Sequence, residues 1–242
     1  MIPWIDELSP KFPPVETATE EPDGLLCAGG NLDITTLLNA YSQGIFPWFN
    51  DGQPVLWWSP NPRMVVSPDT FHPSRRLRRF IRKMDWQVTA DRAFTDVIQH
   101  CSAILRSGQD GTWITPDIIE AYTQMHKAGY AHSIEVWNDD GELCGGLYGV
   151  ALGRIFFGES MFSNESNASK VALTFLVNSG CYDLMDCQVY TNHLESMGGQ
   201  LTPRNEFVQA IKSLSQLPAD VLADAITAVG FEKGFEQGGI EP

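Results

Sequence analysis

No apolar run in this chain approaches the ~20 residues that a membrane-spanning helix needs. The opening residues Met1-Ile2-Pro3-Trp4-Ile5-Asp6-Glu7 lack a basic start followed by an apolar stretch, so no signal peptide is expected. The two absences together predict a cytoplasmic protein with no membrane partner. Cysteine is sparse and odd in number, with Cys27, Cys101, Cys144, Cys181 and Cys187 scattered and no Cys-x-x-Cys. Reduced, mostly buried thiols are therefore expected rather than disulfides or a zinc site. The five histidines show no metal-ligand spacing, and no motif for a metal, nucleotide or redox cofactor is found, so none is expected. Positive charge is scarce as well. Sixteen Lys and Arg stand against thirty Asp and Glu, a net charge of −14, which by itself argues against a nucleic-acid binder.

What is present begins with an exception to that average. Arg75-Arg76-Leu77-Arg78-Arg79-Phe80-Ile81-Arg82-Lys83 holds six cations and no anion. With these six taken out of the −14, the remainder of the chain carries −20. The pattern predicts a helix over about 73–83 with Leu77, Phe80, Ile81 and Met84 on one face. Arg75, Arg78, Arg79 and Arg82 follow one another at i, i+3, i+4 and i+7. A run of one sign repels itself, so a polyanion partner is favoured over a solvated face, although charge runs are usually the latter.

The length, 242 residues with 43% hydrophobic, allows one large domain or two smaller ones. Residues 10–23 are rich in proline and acid and read as an extended lead-in. Asp33 is the expected cap of a helix over 34–43. Pro60 and Pro62 flank Asn61 and forbid regular structure there, placing a boundary between a small domain over 1–63 and a second over 64–242. Strands are expected at 64–66 and 86–89, then a helix capped by Asp91 with Phe94, Val97, Ile98, Cys101 and Leu105 at helical spacing. Thr115-Pro116 caps another helix, closed by Gly129. Strands at 133–137, 143–152 and 155–162 are joined by Asn138-Asp139-Asp140-Gly141 and Gly153-Arg154. A helix over 168–178, a strand over 183–189, short helices at 191–197 and 204–213 and an acidic, glycine-rich mobile tail of about 25 residues complete the chain. This order is that of an α+β protein.

Several uncommon words carry a family resemblance. They are Tyr41-Ser42-Gln43-Gly44-Ile45-Phe46-Pro47-Trp48, Trp57-Trp58-Ser59-Pro60-Asn61-Pro62-Arg63, Gly111-Thr112-Trp113-Ile114-Thr115 and His132-Ser133-Ile134-Glu135-Val136-Trp137. Gly145-Gly146-Leu147-Tyr148-Gly149-Val150, Phe157-Gly158-Glu159-Ser160-Met161-Phe162, Ala168-Ser169-Lys170, Asp186-Cys187-Gln188, His193-Leu194-Glu195-Ser196-Met197-Gly198 and Arg204 follow in order. Together, over about residues 24–207, the chain resembles the bacterial leucyl/phenylalanyl-tRNA–protein transferases. It departs in one place: the segment between Lys170 and Asp186 is a few residues shorter.

The resemblance implies an acetyltransferase-like second domain with a mostly antiparallel central sheet. It also implies transfer of leucine, phenylalanine or methionine from aminoacyl-tRNA to proteins beginning with arginine or lysine, marking them for degradation by the N-end rule. A monomer is expected. In this reading Gln188 engages the incoming amine, Asp186 polarises Gln188, and Glu159 lies near the acceptor. Leu147, Phe156, Met161, Leu173 and Leu176 form the amino-acid pocket, while Tyr41, Trp48, Trp113 and Tyr122 surround the 3′-terminal adenosine. The run of Arg75, Arg76, Arg78, Arg79, Arg82 and Lys83 suits the acceptor stem, bound through phosphates.

The residues alone leave alternatives open. On a regular strand Asp186 and Gln188 share one face, with Met185, Cys187 and Val189 on the other, and without the resemblance a solvated polar face is the better reading. Phe156 and Met161 have opposite parity and reach one pocket only if their strand is bulged, at about Gly158. The aromatic and apolar residues could equally be ordinary core. An acetyl-CoA-dependent acyltransferase would carry a Gln/Arg-x-x-Gly-x-Gly/Ala turn, and none is present. A non-catalytic tRNA-binding module would keep the basic helix but has no need of an amino-acid pocket beside Asp186 and Gln188. An aminoacyl ester is already activated, so the reaction asks only for positioning, proton removal and oxyanion stabilisation.

Overall fold

The computed structural model describes residues 2–104 and 112–231. The chain opens with strand β1 (Trp4–Ile5), which pairs in parallel with β2 (Leu25–Gly29). The proline-rich lead-in between them is not merely extended. It forms a short 3-10 turn over Val15–Thr17 that buries Val15, and Phe12 meets the Trp57 ring edge-on at 4.8 Å. Helix α1 (Ile34–Tyr41) follows, then β3 (Phe46–Pro47) and β4 (Leu56–Trp58), giving a small sheet in the order β1-β2-β4-β3. Asp33 occupies the N-cap position of α1 but makes no capping bond. Asn31 Oδ1 instead accepts from the Asp33 N–H and the Thr36 hydroxyl, an Asx-type turn that competes with the cap.

From Arg63 a second, seven-stranded sheet is built. In chain order its neighbourhood is β5 (Arg63–Val66), α2 (Arg75–Lys83), β6 (Gln87–Ala90), α3 (Phe94–Ser102), α4 (Pro116–Lys127), β7 (Ala131–Trp137), β8 (Leu143–Leu152) and β9 (Ile155–Ser163). Helix α5 (Ala168–Asn178), β10 (Leu184–Gln188), α6 (Asn192–Glu195), β11 (Gln200–Thr202), α7 (Arg204–Leu214) and α8 (Leu222–Phe231) complete it. The strand order is β11-β5-β10-β9-β8-β7-β6. The expectation of a mostly antiparallel sheet is corrected at its centre. β10 runs parallel to β9, so the sheet is mixed. A parallel neighbour needs a crossover connection, and α5 supplies it.

Strand alternation divides the core into two layers. Along β5, Val65 joins Tyr41, Val97, Tyr122 and Phe157 on one face, with α1, α3 and α4. Met64 and Val66 join Leu147, Phe156, Leu173 and Met185 on the other, with α2 and α5. Helix α5 is buried continuously from Val171 to Val177, as its apolar sequence requires.

Two boundaries differ from expectation. Asp91 does not cap α3, because its carboxylate turns the other way, to the Ser133 N–H at 3.0 Å and His132 Nδ1 at 2.7 Å. Buried Glu135 receives the Arg92 and Ala93 N–H groups instead, each at 3.4 Å. The expected continuation of α3 to Leu105 lies outside the described residues. The expected tail contains α8, with Leu222 and Ile226 buried against the second core layer, because Leu222, Ile226 and Val229 repeat at helical spacing. The final glycine-rich stretch lies outside the described residues.

One glycine governs how closely the start of α5 lies on the sheet. At Gly145 a Cβ would stand 2.3 Å from the Ala168 Cβ at the first turn of α5. Gly145→Ala is expected to destabilise the protein by about 1–3 kcal/mol through overpacking. Urea unfolding checks this, and an unchanged midpoint would show that α5 shifts freely.

Candidate active site

Two irregularities on neighbouring strands create the site. In β9, Tyr148 pairs with Ser160 but the next rung pairs Gly149 with Gly158, leaving Glu159 as the extra residue of a bulge. In β10, Asp186 pairs with Val65 but Gln188 with Met64, leaving Cys187 extra. Gln188 also adopts a left-handed backbone, φ +63°, a conformation that costs a non-glycine residue about 1–2 kcal/mol. Because Asp186 sits beside Phe157 across the parallel pair, the two bulges lie just beyond the same rung. A bulge re-aims side chains, and here Glu159 and Gln188 are turned toward each other.

Their bonds revise the simple alternating picture. Asp186 is fully buried and held by Arg63, which is 1% exposed, through Nε–Oδ1 at 2.8 Å and Nη2–Oδ2 at 2.7 Å. Its third nitrogen, Nη1, reaches the Gly44 carbonyl at 2.9 Å, and the guanidinium carbon lies over the Phe46 and Phe207 rings at 4.8 and 4.7 Å. Asp186 Oδ1 also accepts the Gln188 backbone N–H at 2.8 Å. Asp186 therefore fixes the Gln188 backbone; the Gln188 side-chain amide bonds elsewhere, to Glu159 Oε1 at 3.1 Å. Met185 is buried in the second core layer, as expected of the face opposite Asp186, and lines the apolar cavity; beyond it the bulge breaks the period of two, so Cys187 and Gln188 border that cavity as well.

Glu159 is 7% exposed and sits at the centre of this arrangement. Tyr41 donates to its Oε1 at 2.7 Å and Tyr122 to its Oε2 at 3.2 Å, while the two hydroxyls also touch each other. Burial pushes the Glu159 carboxyl up to about 8. The tyrosine hydrogen bonds and Arg63 oppose that rise, and the Asp186 charge adds to it. Both tyrosine hydroxyls are raised well above their ordinary value, by burial first and then by the Glu159 charge.

Leu147, Phe156, Met161, Leu173 and Leu176 come together around one cavity of about 320 Å³, with Glu159, Asp186 and Gln188 in its wall. The register shift that brings Phe156 and Met161 to one side lies at Glu159, next to Gly158. His193, which sequence reasoning left without a role, also lines this cavity; burial and then Lys170 push its imidazole down. A second, smaller cavity of about 70 Å³ is lined by Phe46, Pro47, Trp48 and Trp113 together with Glu159, Gln188 and Val189. Trp48 is 37% exposed, and its carbonyl accepts the Trp58 indole N–H at 2.6 Å. Trp57 is buried, with its N–H on the Gly29 carbonyl at 2.9 Å. The Tyr41 and Tyr122 rings are fully buried and present no face for a base; only their hydroxyls reach the site.

The basic helix is capped by Ser74, whose hydroxyl accepts the Leu77 N–H at 3.2 Å. Leu77 and Ile81 are buried, and Arg75, Arg76, Arg78, Arg79, Arg82 and Lys83 are all exposed.

A family model described as the leucyl/phenylalanyl-tRNA protein transferase matches residues 65–212, and that of its N-terminal domain matches residues 30–61. This chain belongs to that family. It is 52% identical over 217 residues to the leucyl/phenylalanyl-tRNA–protein transferase of Nitrosospira multiformis, covering 88% of this chain and 92% of that one. Identity is 50% over 215 residues to the same-named protein of Chromobacterium violaceum, covering 88% and 91%, and 50% over 222 residues to that of Pseudomonas fluorescens, covering 90% and 97%. The family's members are aminoacyltransferases. A crystal structure of FemX superposes with a TM-score of 0.46 at 11% identity, covering 74% of this chain and 71% of that one, too loosely to carry an argument. Among the described residues no helix is long and apolar enough to cross a membrane.

Arg63 is the site residue that sequence reasoning missed. Its signal was an arginine opening the apolar strand Arg63-Met64-Val65-Val66, where a charge needs a buried partner. Asp186→Ala is expected to cost about 3–5 kcal/mol by stranding that guanidinium, contrary to a purely catalytic aspartate. The double variant Arg63→Met with Asp186→Leu should recover much of the loss in chemical denaturation, and additive losses would show that the pair is not the cause.

Proposed function

We propose that this protein moves leucine, phenylalanine or methionine from aminoacyl-tRNA onto the N-terminal arginine or lysine of acceptor proteins, marking them for degradation. The observation that carries this reading is the shared wall of the two cavities. Glu159, Gln188 and Val189 border both the apolar cavity and the small aromatic one. An aminoacyl-adenosine has the same two-part shape: an apolar side chain, a nucleoside, and the reactive ester between them. With the side chain among Leu147, Phe156, Met161, Leu173 and Leu176 and the base against Trp48 and Trp113, the ester crosses Gln188 and Glu159. Stacking on aromatic rings reads single-stranded ends at ~1–3 kcal/mol per base. An apolar cavity rejects polar amino acids and discriminates weakly among apolar ones, where a methylene is worth ~1–3 kcal/mol.

In this reading Gln188 orients the amine, with its backbone held by Asp186. The acetyltransferase-like fold and the division into domains over 1–63 and 64–242 belong to the same proposal, supported by a second sheet that starts at Arg63. A basic acceptor terminus suits a body that is strongly acidic outside α2. The direct test is transfer of labelled leucine from charged tRNA to a peptide beginning with arginine. Labelled product is expected, and no transfer under conditions where the protein binds charged tRNA would overturn the reading.

The exposed cations of α2 are assigned to acceptor-stem phosphates. Arg76→Ala with Arg79→Ala should raise KM for aminoacyl-tRNA and flatten its dependence on salt, since fewer counterions are released. Transfer from aminoacyl-adenosine should stay nearly unchanged. Equal losses on both donors would remove α2 from tRNA binding.

A further inference from the structure

The geometry points to Glu159 as the base that removes the proton from the attacking amine, so that Gln188 positions the nucleophile and a carboxylate beside it does the acid–base work. This inference rests on the transfer reading above. An amide is too weak a base to take a proton from a forming ammonium, and one of its two N–H donors here is already directed at Glu159 Oε1, 3.1 Å away. An amine that hydrogen-bonds the Gln188 side chain stands within reach of the carboxylate bonded to that same side chain. Among the described residues, Glu159 is also the only carboxylate besides Asp186 in the walls of either cavity. Asp186 is withdrawn from chemistry, because both of its oxygens are taken by Arg63 and the Gln188 backbone.

The bulge explains why the side chain at this position faces the reacting centre at all. A regular β9 would pair residue 159 with the strand and send its side chain on the ordinary alternation; as the extra residue it borders both cavities at once. The groups facing it are few. Tyr41 from α1 and Tyr122 from α4 donate to its two oxygens, Gln188 from β10 donates to one, and Asp186 and Arg63 act on it through their charges. The buried hydroxyls stabilise the carboxylate against desolvation without neutralising it, and both keep their protons because they titrate well above their ordinary range. The carboxyl titrates at about 8, and an α-amino group at ~8. Carboxylate and neutral amine are thus populated together, and the ammonium formed on attack, more acidic than the free one, passes its proton downhill to a base poised near the operating pH.

The step balances within the site. The neutral amine attacks the ester carbonyl, and its lone pair forms the C–N bond. Glu159 takes one N–H proton from the resulting ammonium. The tetrahedral species collapses, the C–O bond to the ribose breaks, and the leaving 3′ oxygen takes up the proton from the Glu159 carboxylic acid, directly or through water. The products are a peptide bond and a free ribose hydroxyl, with the carboxylate restored.

The sign of the pH dependence follows. Below about pH 8 the carboxyl holds a proton and cannot accept another, so log kcat/KM with an ordinary acceptor should rise with a slope near two, one unit from Glu159 and one from the acceptor amine. The two are separated with a peptide acceptor whose terminal nucleophile is a hydrazide, far less basic than an amine and neutral throughout the range. Wild-type protein should then retain a single limb near pH 8, assigned to Glu159. Glu159→Gln, which keeps the shape and one hydrogen-bond acceptor, should lose that limb and fall by about 10²–10⁴-fold in kcat above pH 8, with KM for aminoacyl-tRNA little changed. A flat wild-type profile with the hydrazide acceptor overturns the proposal, and this arm requires no variant to fold. Retention of at least half the wild-type kcat by Glu159→Gln also overturns it. Absence of transfer by wild-type protein to either acceptor would instead be a failure of the transferase reading.

Discussion

The site depends on one buried ion pair. Arg63 opens the first strand of the large sheet, and Asp186 lies on its neighbour; their two-point contact locks β5 to β10 at the rung where β10 becomes irregular. A buried pair of this kind adds little net stability, because desolvating both charges offsets much of their attraction. What it supplies is geometry. Each guanidinium nitrogen has a fixed acceptor, the Phe46 and Phe207 rings pack on it, and a further Asp186 contact pins the backbone of Gln188 in a conformation that a free chain would leave. The strained φ of Gln188 persists because its surroundings over-determine it.

The second constraint is the pairing of two bulges across a parallel ladder. Either bulge alone would only distort a strand. Placed beyond the same rung of β9 and β10, they turn Glu159 and Gln188 toward each other and open the sheet between two cavities of different chemistry. One cavity is apolar and walled by β8, β9 and α5; the other is aromatic and built from the β3 region and Trp113. Gly145 lets α5 come close enough to complete the first. The continuously buried stretch of α5 from Val171 to Val177 and the flanking cores make these walls rigid.

The electrostatics are equally local. Glu159 is surrounded by hydroxyls and an amide, with one fixed charge pair nearby, so its ionisation balances burial against hydrogen bonding. By contrast, the cations of α2 are exposed, so their field is screened by salt far more than that of the buried Arg63–Asp186 pair.

The sequence by itself determined the α+β order, the periodic helices, the polarised charge of α2 and, through its uncommon words, the family. These depend on local spacing, which is written in neighbouring residues. The apolar residues around the larger cavity were legible for the same reason, as was the need for a bulge, since Phe156 and Met161 differ in parity. Helix α8 was hidden because Asp220, Asp224 and the glycine-rich end masked Leu222, Ile226 and Val229. Asp33 and Asp91 read as caps because residue type alone does not say which of several nearby N–H groups a carboxylate will take. Only the tertiary structure decided that Asp186 belongs to Arg63, 123 positions away, that Gln188 breaks the strand alternation, and that the Tyr41 and Tyr122 rings are core while their hydroxyls meet at Glu159. Those choices are set by desolvation: a buried charge must find a partner wherever the fold brings one, and the pairing of distant strands, not the spacing of neighbouring residues, determines where that is.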